Sequence, residues 1–164
     1  MSIKPLALAC LLCLSVSAWA QRDVEAMDWK ESEVPPPPAY DLKKLLTFEV
    51  SPNSSLVYGV DPAALRITGD GVVRYVMVAS SASGARNVFY EGLRCATGEF
   101  KTYARQSPEG VWRQVENAEW RSVFDNMPSK YALQFARAGA CDSAAPASSV
   151  NEIVRQLKAG RFNR

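Results

Sequence analysis

The sequence predicts an α+β domain: an antiparallel meander sheet, then two to three C-terminal helices packed on it, with one disulfide. Three observations carry this. Short runs of strand formers recur between Leu42 and Val115, separated by Gly, Pro, Ser and Asn turns. Helical spacing takes over from Asn117 onward. Of four cysteines, only Cys95 and Cys141 remain once an N-terminal export signal is removed. Strands first and helices after is the order of an α+β fold.

Residues 1–20 read as that signal peptide. Lys4 supplies the positive start, Leu6 to Val16 the apolar stretch, and Ala18-Trp19-Ala20 a small-x-small cleavage site before Gln21. The apolar stretch falls short of the about 20 residues that span a bilayer, so no transmembrane segment is expected after cleavage. Cys10 and Cys13 raise a lipid-anchored reading, but neither follows a good lipobox; Ala7-Leu8-Ala9-Cys10 lacks Leu at the usual place.

Residues 21–41 form an acidic, Pro-rich arm. Between Gln21 and Tyr40, Asp23, Glu25, Asp28, Glu31 and Glu33 outweigh Arg22 and Lys30 by three charges. Pro35 to Pro38 favour polyproline II and forbid helix or central strand. Two readings remain: a tethering linker, or a docking strap whose Met27 and Trp29 pack on the domain or on a partner. Trp29 is the partner-binding candidate, because an indole in a polar arm seeks a surface.

Residues 42–164 form the single domain. Strands are expected at Leu45–Val50, Leu56–Val60, Leu65–Thr68, Val72–Ser80, Asn87–Cys95, Glu99–Gln106 and Val111–Val115. The strongest is Val72–Ser80, VVRYVMVAS. Asn117 is placed to cap a first helix carrying Trp120, Val123, Phe124 and Met127 on one face. A second helix follows Pro128-Ser129 through Tyr131, Ala132, Phe135 and Ala136 and stops near Gly139. In the last helix, Ser149-Val150-Asn151-Glu152 is a capping box. Val150, Ile153, Val154 and Leu157 share a face there, and Gly160 ends it. Trp112, Trp120, Phe124, Tyr131 and Phe135 read as core. An even cysteine pair in an exported chain reads as a disulfide, so Cys95–Cys141 would staple sheet to helices. Chain entropy assigns such a loop about 4 kcal/mol.

The chain contains no histidine, which removes Ser-His-Asp triads, imidazole acid–base work and most zinc sites. Paired cysteines remove thiol nucleophiles. Without Lys4 the chain holds 18 basic and 17 acidic residues, far from the basic excess of a nucleic-acid binder. No cofactor and no metal is expected, and no catalytic residue is assigned. The simplest hairpin registers put Arg74, Glu91, Lys101, Tyr103 and Arg105 on one sheet face and Tyr75, Met77, Tyr90, Thr102 and Ala104 on the other. The charged face reads either as solvated ion pairs or as a groove for an anionic or glycan ligand. A one-residue slip would scatter it over both faces. Arg155, Lys158, Arg161 and Arg164 complement the dipole of the last helix.

These stretches resemble a known family. The segments Gly69-Asp70-Gly71-Val72-Val73-Arg74-Tyr75, Ser83-Gly84-Ala85-Arg86-Asn87-Val88, Tyr90-Glu91-Gly92-Leu93-Arg94-Cys95 and Lys101-Thr102-Tyr103-Ala104 are similar to the cryptic neisserial protein-like family of exported proteobacterial proteins. The resemblance runs from about Trp29 to Cys141. It implies a periplasmic, Gram-negative envelope protein, and it brings no activity or catalytic residue with it. The expectation is a non-enzymatic binding domain for an envelope protein or an anionic or glycan ligand. The alternatives are a carboxylate-based glycan hydrolase using Glu91, and a structural envelope protein acting through its arm.

Overall fold

The eight residues from Val72 to Ala79 are all buried, although they alternate between the two faces of one strand. A strand buried on both sides reads as a near-continuous apolar run, and both its faces need a cover. The computed structural model, which describes residues 29–160, shows what those covers are. The signal peptide and Met27 lie outside the described residues, as do Arg161 and Arg164. The chain divides into two compact units, Met1–Glu31 and Ser32–Arg164. The described residues of the first, Trp29 to Glu31, are in neither helix nor strand.

In the second unit the strands run β1 (Leu46–Phe48), β2 (Leu56–Val60), β3 (Arg66–Ile67), β4 (Val72–Ser81), β5 (Arg86–Arg94), β6 (Glu99–Gln106), β7 (Trp112–Gln114) and β8 (Arg121–Ser122). Among the described residues these form one antiparallel sheet in the order β1-β2-β4-β5-β6-β7. β3 pairs with β4, and β8 with β6. The meander is as expected, and β2 and β6 have the predicted bounds. A helical segment follows: α1 (Tyr131–Phe135) runs directly into a wide π turn, Ala136–Ala140. A small ribbon, β9 (Cys141–Asp142) with β10 (Ala145–Pro146), leads to α2 (Val150–Ala159).

Helix α2 is built as its sequence dictates. The Ser149 hydroxyl accepts from the Glu152 N–H at 3.2 Å, and Gly160 closes the helix in the left-handed region. Its Ile153 and Leu157 join Ala132, Phe135 and Ala138 over Val73, Tyr75, Met77 and Leu93. The Cys95–Cys141 disulfide spans 46 residues and ties the end of β5 to the end of the π turn. It staples sheet to helices, as expected.

The helix expected from Asn117 to Met127 is not formed. Arg121 and Ser122 pair with Phe100 and Glu99 instead, and Asn117 has a positive φ of 50°. Only Val123 of the supposed apolar face is fully buried. Phe124 is 65% exposed, so it is not core. Eleven residues are too few for helical propensity to win without a packed face, and the open edge of β6 offered backbone hydrogen bonds. The domain therefore has two C-terminal helical elements.

The second face of the sheet is covered by the chain from Ser32 to Leu45. Val34, Tyr40 and Leu45 pack on Val76, Val78, Val88, Tyr90 and Ala104, with Trp112 at the side. Ser32 to Tyr40, which forms no helix or strand, lies on the domain as a strap. Ser32 to Asp41 thus belong to the same compact unit as the sheet.

Candidate functional site

Five residues were expected on one charged face. The structure divides them. Arg74 lies opposite Gly92, and Gly92 opposite Lys101; Tyr75 lies opposite Glu91, and Glu91 opposite Thr102. A bulge at Tyr90/Glu91 shifts the next pairs to Tyr90–Ala104 and Phe89–Arg105. Arg74, Lys101 and Tyr103 therefore face the strap, while Glu91 and Arg105 face the helices. The physical cause is turn geometry. Gly84 donates its N–H to the Ser81 carbonyl and Gly98 to the Cys95 carbonyl, each with φ positive at 86° and 64°. The first hairpin, with Ser80 opposite Arg86, has a three-residue loop over 82–84, and the second, with Arg94 opposite Glu99, has a four-residue loop over 95–98; each is one residue away from the register assumed. The Ser-x-x-Gly and Cys-x-x-Gly spacing was the signal for it.

On the strap side, Arg74 is a clamp. Its guanidinium, 2% exposed, donates to the Ser32 carbonyl at 3.0 Å, to the Ser32 hydroxyl at 3.2 Å and to Asp70 Oδ2 at 3.2 Å. Asp70 accepts in return from the Ser32 N–H at 2.8 Å and the Ser32 hydroxyl at 2.7 Å. Its other oxygen accepts from Thr68 and from the Val72 N–H. Burial by itself would raise the Asp70 carboxyl; the hydrogen bonds from Thr68, Ser32 and Val72 overcome that and bring it down to about 2. The strap's other end is held twice. Tyr40 donates to Gln106 Oε1 at 2.6 Å, and the Asp41 N–H donates to the buried Asp61 at 2.6 Å. Beside the clamp, the Tyr103 ring lies over Gly92. A Cβ built on Gly92 would stand 2.2 Å from the Tyr103 hydroxyl oxygen, so only glycine fits there. The Lys101 ammonium lies 5.8 Å from the Tyr103 ring centre and 5.7 Å from that of Trp120.

On the helix side, Glu91 is completely buried. Its Oε1 accepts from Tyr131 at 2.7 Å and from Thr102 at 2.9 Å. Glu91 Oε2 and the Tyr75 hydroxyl, across the β4–β5 pair, have no hydrogen-bond partner among the described residues. Burial raises the Glu91 carboxyl, and the hydrogen bonds from Tyr131 and Thr102, with the nearby Tyr75 hydroxyl and the charge of Arg105, offset only part of that. Burial and the nearby carboxyl also push the Tyr75 and Tyr131 hydroxyls up. Tyr131 stacks on Tyr58 at 5.3 Å and so roofs the carboxyl. Arg105 is exposed, its guanidinium 4.9 Å from the centre of the Phe89 ring. This is a polar centre closed to solvent; it can hold or release a proton, but it offers no face to a bulky substrate.

Sequence reading missed Ser32, Asp70, Tyr75, Thr102 and Tyr131 as members of these two centres. One signal was present. An arginine inside a near-continuous apolar strand needs a buried partner from outside the strand, and Asp70 stands four residues before Arg74. Trp29 is half-buried. No helix among the described residues is long and apolar enough to cross a membrane, and no cluster of potential metal ligands occurs among them.

With this geometry in view, a family model matches residues 24–158, a span that takes in the strap, the sheet and both cysteines. The chain belongs to the CNP1-like family. This agrees with the resemblance carried by the segments around Arg74 and Glu91. No curated protein and no solved structure matches the chain. What a member of the CNP1-like family does must therefore be argued from its own residues.

Proposed function

We propose that this CNP1-like protein is an exported, periplasmic domain of the cell envelope that works by binding rather than by catalysis. One observation carries the reading: the ionisable side chains of β4 to β6 that were candidates for chemistry are committed to packing. Arg74 holds Ser32, Glu91 is sealed under Tyr131, Lys101 lies over two rings, and Arg105 lies over Phe89. The sulfur–sulfur staple supports an oxidising compartment, and the signal-like N-terminus supports export.

A glycan hydrolase built on Glu91 is the weaker reading. Such chemistry needs two carboxyls about 5–9.5 Å apart flanking a bound sugar, and a sugar cannot reach a fully buried carboxyl. An envelope protein acting through its N-terminal segment is a second reading. The anchoring of Ser32 favours it, since a chain held at Ser32 can carry a load applied ahead of it. Its test is deletion of residues 21–31, which spares the strap.

Crosslinking in intact cells followed by mass spectrometry tests the main proposal. The expected result is recovery of a defined envelope partner, with crosslinks to the domain that survive the 21–31 deletion. Loss of every partner on that deletion would favour the N-terminal reading. Release of sugar from envelope glycan by the purified protein, abolished by Glu91→Gln, would overturn the binding reading.

A further inference from the structure

The strap side of the sheet is an apolar face covered by an extended segment of the same chain. Val34 and Tyr40 flank four prolines, and both pack on the face formed by Val76, Val78, Val88, Tyr90 and Ala104. The proline run links these two anchors, and Tyr90, Tyr103 and Trp112 are the aromatic residues of the same cluster. Pro37 and Pro38 are half-buried. Among the described residues, 32–40 take no part in backbone–backbone hydrogen bonds with the sheet or helices. Apart from the apolar contacts, the strap is held at its ends, by Asp70 and Arg74 on Ser32 and by Gln106 and Asp61 on Tyr40 and Asp41. Shallow aromatic floors that take a preformed polyproline helix through side-chain contacts are a recurring mode of peptide recognition. The rim is basic. Arg86 acts electrostatically on Tyr40 and Arg66 on Tyr90, and both arginines are exposed. The strap itself carries Glu33 ahead of its prolines and Asp41 after them.

We infer that this face is a binding site for an extended, proline-rich peptide with acidic flanks on a partner protein, and that the chain's own strap occupies it in competition. The inference rests on the binding reading above and names the chemistry of the ligand. A covalently attached strap acts at an effective concentration near the millimolar range, so a partner must either exceed that or release the clamp. The clamp is suited to release. Ser32 is bound through one hydroxyl and two backbone groups, and no helix or strand has to break when the strap lifts.

The test uses the full mature chain and a synthetic peptide of residues 30–41. In one variant the strap is disabled while the face is left intact, by Val34→Ser with Tyr40→Ala. The peptide should bind this variant roughly tenfold or more tightly than it binds the wild type, whose own strap competes. Amide shifts should centre on Val76, Val78, Val88 and Tyr90. A peptide with Pro35 to Pro38 replaced by alanine should lose that binding. Should the double variant not fold, judged by its near-UV circular dichroism and an intact Cys95–Cys141 bond, the wild-type chain is titrated with millimolar peptide and the same four amides are followed. Failure of those amides to respond in a folded chain overturns the inference. A dimer with exchanged straps that binds no peptide overturns it too, in favour of self-association. These outcomes require no cellular partner, so they are separable from the crosslinking result. Glycan release by the same protein would sink the binding function without moving the amide shifts.

Discussion

The two faces of one sheet solve the same problem in opposite ways. Both must be covered, and each buries carboxyls: Glu91 on one side, Asp70 and Asp61 on the other. On the helix side the cover is regular secondary structure, closed by a covalent bond, and the carboxyl of Glu91 is held by the neutral hydroxyls of Tyr131 and Thr102. On the strap side the cover is a segment without helix or strand, and the carboxyl of Asp70 is held by an arginine and by the strap's own backbone. At Glu91 full burial outweighs the hydroxyl bonds and pushes the carboxyl toward its neutral form; at Asp70 the bonds from Thr68, Ser32 and Val72 outweigh burial and hold it ionised. The comparison teaches that one face is built for permanence and the other for release.

The largest expected effect breaks the permanent side. Replacing Cys95 and Cys141 by serine should cost about 4 kcal/mol of stability, by loop closure. Denaturant unfolding followed by near-UV circular dichroism reads this, and the helical segment should lose protection from hydrogen exchange before the strap does. Next is Arg74→Ala. Removing one member of a buried ion pair costs about 3 kcal/mol or more, and here the loss should appear as fast exchange at Ser32 to Tyr40 and raised proteolysis of the strap. Equal loss of protection on the helix side would show that the two covers are not separable. Gly92→Ala should cost about 1–3 kcal/mol by overpacking against Tyr103, with the damage on the strap side. Tyr131→Phe should cost about 1–2 kcal/mol, because it strips a donor from a buried carboxyl.

The smallest effects are in pH, and they have opposite signs on the two faces. Glu91 has its carboxyl raised from the ordinary 4.5. The folded state therefore binds that proton more tightly, and its contribution to stability is full below 4.5 and is lost as pH rises through the raised value. Asp70 is lowered from 3.8 to about 2. Its contribution is full above 3.8 and is lost as pH falls toward 2. Urea midpoints measured from pH 2 to pH 8 should show both limbs. Glu91→Gln should flatten the upper limb only, and Asp70→Asn the lower one only.

Much of the fold was legible in the residues alone. The strand runs, the capping box before α2 and the arithmetic of the cysteines each depend on neighbours in sequence. The candidate site was less legible. All five charged or aromatic residues singled out do sit on β4 to β6, but on two faces rather than one. Alternation along a strand says that Arg74 and Tyr75 point opposite ways. It does not say which of them meets Glu91, since that depends on the number of residues in a turn. The Asn117–Met127 segment failed for a related reason: helical spacing was present, but β6 had an unpaired edge within reach.

The sequence by itself determined the main strands of the meander, where the last helix begins and ends, and which cysteines can pair, because those properties are local or countable. Only the tertiary structure decided that Arg74 clamps a strap while Glu91 is sealed beneath a helix. Register and face are set jointly by turn geometry and by what arrives to cover each side. The proline run shows the same division: its composition predicts an extended chain, and only the apolar face that takes Val34 and Tyr40 on either side of it makes that chain part of the domain.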